Sequence, residues 1–252
     1  MRDPAGVGSP GLDQPGTGEP PAELDAVIAG PPRGVRPALG VAAALVLLVL
    51  VPFGLAVRAG WQPLLDLDRS VSSVLVVPGR GTDVDILRAL TVAGLLLARC
   101  LVVVPLVVWF AVLRRWQMIG FLVLAGVGVS PLNGVLKLVF DRARPVYDGT
   151  IEVGGLSFPS GHSSGAAALA ALLVVVGWPV LGGAWRWVWV GLAALGTVVV
   201  GYTRIALGAH FLSDVVAGWS VGAAWVLVLA VLFQVWPGQP GTLPAHGRSA
   251  SP

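Results

Sequence analysis

Six apolar stretches separated by more polar segments fill the chain between residues 38 and 236, and they constrain its fold more than any other feature. They run from Ala38 to Val57, through a second run ending at Leu113, from Trp116 to Leu136, from His162 to about Gly177, from Trp187 to Thr203, and from about His210 to Trp236. A helix needs about 20 residues at 1.5 Å each to cross roughly 30 Å of hydrocarbon, and it satisfies its own backbone without water. The pattern predicts an all-α bundle of six transmembrane helices. Composition agrees: 56% of residues are hydrophobic and 12% charged, with a mean hydropathy of +0.84. A soluble domain carries roughly 25% charged residues, and a disordered chain needs low hydrophobicity, so both classes are excluded.

The ends read differently. Residues 1–36 hold seven Pro and seven Gly without apolar periodicity, and residues 237–252 are again rich in Pro, Gly and Ser, so both are expected to be disordered tails around a membrane domain at 37–236. The first apolar run starts too far from Met1 to be a secretory signal and is expected to stay as an anchor. Arg33, Arg36, Arg114, Arg115 and Arg186 mark one set of span ends as cytoplasmic, with Trp109, Trp116, Trp178, Trp185, Trp187, Trp189 and Trp236 forming a belt there. Arginines also occur opposite (Arg58, Arg69, Arg80, Arg88), accompanied by Asp66, Asp68, Asp83 and Asp85. The orientation implied puts both termini in the cytoplasm of a cell whose plasma membrane holds the bundle. Arg99 falls inside the second run, where it must snorkel, pair, or line a polar cavity.

A net charge of +3 and a pI near 9.7 raise nucleic acid as a partner, but the arginines form no continuous basic face, so none is expected. The single cysteine, Cys100, cannot close an internal disulfide, and no Cys/His cluster has zinc spacing, so no metal is expected.

Three segments hold most of the chemically capable residues: Lys137 to Pro145 (KLVFDRARP), Pro159 to His162 (PSGH), and Thr203 to Asp214 (TRIALGAHFLSD). In a six-span chain all three lie on one side of the membrane, opposite Arg114 and Arg115, hence extracytoplasmic. Lys137 is the only lysine; with Arg144 seven residues on, the spacing predicts two cations on one face of a helix that Pro145 ends. The alternative is a solvated Lys137–Asp141 pair with Arg142 snorkelling outward. Ser160 is a candidate N-cap, and the N–H groups at Gly161 open a helix whose start is an anion site, with His162 on its first turn. His210 and Asp214 are i and i+4, so the carboxylate can hold one imidazole nitrogen and leave the other free to attack. Asp214 is the only acid after Glu152, and His210 is the nearest partner the sequence offers it.

These residues resemble the type 2 phosphatidic acid phosphatase (PAP2) superfamily, whose motifs read K-x6-R-P, P-S-G-H and S-R-x5-H-x3-D. Lys137, Arg144 and Pro145 fit the first, Pro159 to His162 the second, and Arg204, His210 and Asp214 the third, with Thr203 where the family has serine. Threonine keeps the hydroxyl, so a phosphate contact is expected there too. The resemblance implies a six-helix bundle of the PAP2/acid phosphatase type. It implies that Lys137, Arg144, Arg204, Ser160 and Gly161 bind phosphate, that His210 attacks phosphorus, that Asp214 holds its tautomer, and that His162 protonates the leaving oxygen, through a phosphohistidine and without cofactor or metal. The expected partners are membrane lipids, one of them a lipid phosphate or pyrophosphate substrate: phosphatidic acid, phosphatidylglycerol phosphate or a polyprenyl pyrophosphate. A phosphotransferase of the same family, or an anionic-lipid transporter, would use the same cations; a transporter more often shows internal repeats, and it needs no His–Asp pair. The sequence carries no signal for oligomeric state.

Overall fold

A computed structural model describes residues 35–79, 81–147, 154–233 and 235; the tails expected at 1–36 and 237–252 lie almost entirely outside these residues. Every regular element among them is helical. Helix α1 (Val35–Arg58) ends at Gly60, whose φ of +65° is open to glycine without a Cβ penalty, and the chain turns by 95° into α2 (Gln62–Leu75). Helix α3 (Thr82–Thr91), with Asp83 and Asp85 in its first turn and Arg88 in its last, suits the helix dipole. A 3₁₀ turn (Val92–Gly94) bends it by 42° into α4 (Leu96–Val112). Helices α5 (Trp116–Val127) and α6 (Val129–Phe140) join as one apolar run of 25 residues. Then come α7 (Gly161–Gly177), α8 (Trp185–Ala206) and α9 (Leu212–Leu232).

Among the described residues the α5–α6 run, α8 and α9 are each long and apolar enough to cross a membrane; counting each bent pair, α1 with α2 and α3 with α4, as one span gives up to five. Helix α7 is apolar but shorter, 17 residues, about 25 Å at 1.5 Å each. Large apolar side chains such as Leu48, Leu97, Leu101, Val112 and Leu195 point outward, as lipid-facing residues do and as a water-soluble surface does not. Two helices were not expected: α2 and α3 occupy what the sequence presents as a polar loop between the first two spans. The buried face of α2 is Leu64, Asp68 and Ser72, spaced i, i+4, i+8, so it packs inward on polar groups.

Helix α9 lies at the centre, packed chiefly on α7 and α1. Its Gly218 and Gly222, one turn apart, permit the approach: a Cβ at Gly218 would stand 2.6 Å from the Ser160 carbonyl oxygen, and one at Gly222 2.2 Å from that of Ser164. Small residues at this spacing let helix backbones meet closely in a membrane, where van der Waals packing replaces the hydrophobic drive. Phe121, Leu122, Ala125 and Val129 fill the core on the α5–α6 side. Arg99 does not snorkel. It is 3% exposed and crosses to the next span, donating to the Gly126 carbonyl at 2.9 Å and to Ser130 Oγ at 2.7 Å.

Candidate active site

Helix α6 stops at Phe140 because Asp141 takes the left-handed conformation (φ 49°, ψ 43°), its N–H closing on the Lys137 carbonyl at 2.9 Å. This corrects the expectation that one helix carries both Lys137 and Arg144 as far as Pro145. Lys137 is in the last helical turn, while Arg142 and Arg144 lie two apart on the irregular segment beyond it. The Lys137 ammonium donates to the carbonyls of Leu156 and Ser157, and no Lys137–Asp141 ion pair forms. Arg144 Nη1 donates to the Ala209 carbonyl at 2.8 Å and stands 3.1 Å from His210 Nε2, while its Nε donates to the carbonyls of Gly154 and Gly155.

The strap before α7 is sewn to both neighbours. Ser157 N–H donates to the Arg142 carbonyl at 2.7 Å, and Ser160 N–H donates to the Asp214 carbonyl at 2.9 Å. Ser160 is the N-cap of α7, its buried hydroxyl accepting from Ser163 N–H at 3.4 Å and from Ser163 Oγ at 3.0 Å. A Cβ at Gly161 would meet only Asn133 Oδ1, at an ordinary 3.4 Å, so the protein's own packing makes little demand for glycine there. His162 follows on the first turn, half-buried, within electrostatic reach of Arg204, His210 and Arg144.

Helix α8 delivers Arg204, 6% exposed, whose Nη1 lies 3.3 Å from Thr91 Oγ1 and whose buried Nε has no hydrogen-bond partner among the described residues. The Arg204 carbonyl receives the N–H of Ala209 and of His210, which folds the chain after α8 back toward α9 and fixes the histidine. Thr203 spends its hydroxyl proton on the Val200 carbonyl at 2.6 Å, so it is not free to donate to a ligand, contrary to the expectation drawn from the hydroxyl alone.

His210 is 2% exposed, with Nδ1 at 3.5 Å from Asp214 Oδ2 and Nε2 toward Arg144. Burial pushes its imidazole down to about 4, Asp214 pulling the other way, so the ring is neutral at pH 7 with a lone pair available. Burial also lowers Arg144, with Asp214 opposing. Asp214 is more heavily partnered than the sequence suggests: Oδ1 is 2.7 Å from Arg142 Nη1, and Oδ2 accepts from Ser157 Oγ and, at 2.9 Å, from Phe211 N–H. Its nearest cation is therefore Arg142 rather than His210. Arg142 does not snorkel either. It lies 4.3 Å over the Phe211 ring and bridges Asp214 to Asp68 of α2, 2.8 Å from Nη2, with Ser213 Oγ completing the cluster at 2.7 Å. Sequence reasoning assigned no site role to Asp68, Ser157 or Ser213. Only the lone carboxylate of Asp214 hinted that a second cation was needed.

Chemically, a neutral imidazole is held from behind by a carboxylate at Nδ1, while the Arg144 guanidinium stands within donating distance of Nε2. A second buried guanidinium, an ammonium and an open helix start stand close by. Among the described residues no group of three or more His, Cys, Asp or Glu is placed to hold a metal ion.

The family model of the PAP2 superfamily matches residues 115–237, which contain all three motif segments. Phosphatidylglycerophosphatase B of Bacillus subtilis (strain 168) is 36% identical over 113 residues, 43% of this chain and 54% of that protein. Undecaprenyl-diphosphatase of Sulfolobus acidocaldarius is 30% identical over 135 residues, 51% of this chain and 61% of that protein. The chain thus spans little more than half the length of these curated relatives. Among solved structures, that of the first transmembrane PAP2 type phosphatidylglycerolphosphate phosphatase from Bacillus subtilis superposes with a TM-score of 0.59 at 25% identity, covering 71% of this chain and 92% of that one.

Proposed function

We propose, from the match of the PAP2 superfamily model to residues 115–237 and from the relatives above, that the chain is an integral membrane phosphatase of that superfamily that removes phosphate from a lipid phosphate or lipid diphosphate. The observation that carries this reading is the His210 ring, set between the Asp214 carboxylate at Nδ1 and the Arg144 guanidinium at Nε2. A phosphoryl group that draws the Arg144 guanidinium onto its own oxygens frees the Nε2 lone pair for attack. Lys137, Arg144 and Arg204 clamp its oxygens, the unpartnered Nε of Arg204 being a donor already in place. Ser160 and the Gly161 N–H complete the cradle, and the space at Gly161 admits a close anion.

His210 Nε2 attacks phosphorus in line, the bond to the leaving oxygen breaks, and His162 supplies the proton that oxygen takes. Asp214 holds the Nδ1–H tautomer and stabilises the charge that develops on the ring; Arg142 and Ser157 keep that carboxylate aimed. Water, with His162 now as base, releases phosphate from the phosphohistidine. Three cations neutralise the charge a metal would otherwise meet.

The lipid setting follows from six spans, α7 being the sixth, with termini cytoplasmic and the site at the extracytoplasmic edge, where a headgroup reaches it while its chains stay in hydrocarbon. Phosphatidylglycerol phosphate and undecaprenyl diphosphate are the first substrates to try, given the names of the relatives. The test is phosphate release from a panel of lipid phosphates by purified protein in detergent with EDTA. Activity that persists in EDTA agrees with this reading; activity lost to chelator and restored by Mg²⁺ overturns the mechanism.

A further inference from the structure

Beside the His210 site, and sharing Arg144 with it, a cleft of about 740 Å³ opens between the end of α1, the start of α2 and the segment after α6. Four arginines line it, Arg58, Arg69, Arg142 and Arg144, against one acidic residue, Asp141. Their charges are not equally committed. Arg142 is taken up by Asp68 and Asp214 in a buried bridge. Arg69 meets Asp66 at 2.6 Å, but both side chains are more than 60% exposed, so water screens the pair and it exchanges readily. Arg58 donates to the neutral carbonyl of Val139 at 2.5 Å, and among the described residues neither it nor Arg144 has a carboxylate within ion-pair distance. Gln62 stands on the same wall, its Oε1 accepting from Arg69.

The phosphoryl group transferred to His210 already has three cations of its own. The cleft therefore carries positive charge that hydrolysis of a single phosphate does not use, and it is continuous with the reaction centre through Arg144. Guanidinium groups bind phosphate oxygens in a planar, often bidentate fork, so Arg58, with no carboxylate partner among the described residues, and Arg69, held only by a water-screened pair, form a second anion seat rather than a merely basic surface. Phe140 and Phe211 give the cleft apolar surface for the carbon atoms of the leaving group. Building on the phosphatase reading, we propose that Arg58 and Arg69 hold a second phosphate belonging to the leaving group, so that the enzyme prefers lipids whose leaving group keeps a phosphate after hydrolysis.

The test compares phosphate release from phosphatidic acid, whose leaving group has no phosphate, with release from phosphatidylglycerol phosphate and a polyprenyl diphosphate, whose leaving groups keep one. All three are presented in the same detergent to wild-type protein, Arg58→Gln, Arg69→Gln and the double variant. The double variant is expected to lose about tenfold or more in kcat/KM on the two substrates that keep a phosphate and less than about twofold on phosphatidic acid. Equal losses on all three, or no loss, would overturn the second seat. Arg58 also ties α1 to the end of α6, so if the double variant does not fold, Arg69→Gln alone decides, with about a threefold selective loss expected. Wild-type protein that releases phosphate from none of the three would overturn the phosphatase reading, and the second seat with it.

Discussion

Asp68→Asn changes one atom of a side chain far from the motif segments in sequence, yet it should be among the costliest mild substitutions in the chain. Asp68 is 1% exposed and accepts three hydrogen bonds: from Arg142 Nη2 at 2.8 Å, Ser213 N–H at 2.9 Å and Ser213 Oγ at 2.5 Å. An amide has one acceptor oxygen. Turned toward Arg142, it sets its NH₂ against the Ser213 N–H; turned the other way, it sets NH₂ against the guanidinium. Either way a buried donor faces a donor, which costs about 1–3 kcal/mol, and the loss of one charge from the Arg142 bridge brings the total to about 2–4 kcal/mol. Asp85→Asn is the control, because its pair with Arg88 has side chains 72% and 48% exposed and is worth less than about 1 kcal/mol. Unfolding in mixed micelles, followed by tryptophan fluorescence, reads both. Kinetics should show the Asp68→Asn loss in kcat more than in KM, since Arg142 also holds Asp214. A stability difference between the two variants under about 1 kcal/mol would refute the buried bridge.

Lys137→Arg should fold normally but lose about tenfold or more in kcat/KM, because the planar guanidinium cannot sit where a compact ammonium reaches both the strap carbonyls and the phosphoryl group. Asp141→Asn should be near neutral, since Asp141 is exposed and asparagine tolerates its left-handed backbone; a defect as deep as that of Lys137→Ala would return the lysine to a scaffold role. Gly222→Ala should weaken α7–α9 packing and reduce activity, because its Cβ would stand 2.2 Å from a backbone oxygen, whereas Gly196→Ala, with open space, should be neutral or stabilising by up to about 1 kcal/mol; thermal inactivation of both decides. With Cys100 replaced, cysteines at positions 114 and 146 test sidedness, Val146 being 92% exposed: impermeant label added from outside should react at 146 and not at 114, and the reverse pattern would invert the topology.

The chemistry was more legible in the sequence than its support. His210 and Asp214 could be paired from their spacing because α9 begins between them, at Leu212, with Asp214 in its first turn, and Ser160 could be read as a cap because a cap is a local device. Arg142 could not be placed from its neighbours: its partner Asp68 lies 74 residues away, and a charged residue at a helix end defaults to snorkelling when nothing local binds it. Helix α2 was hidden for a related reason. Its buried face holds Asp68 and Ser72, so the apolar period that announces a helix is missing where the helix matters most. The end of α6 at Phe140 rests on a left-handed aspartate, whose conformation the Pro145 downstream does not dictate. Arg99, an apparent defect in a span, is a crosslink between helices that only their packing reveals.

The central claim is that His210 forms a bond to phosphorus. Purified protein mixed with a substrate labelled with ³²P in the phosphoryl group, quenched within one turnover and digested for mass spectrometry, tests it most directly. The account predicts a transient, acid-labile and alkali-stable phosphoryl group on His210 that decays as phosphate appears and is absent from inactive His210→Ala. Rapid phosphate release with no label on the protein, or turnover that survives in His210→Ala, would contradict it.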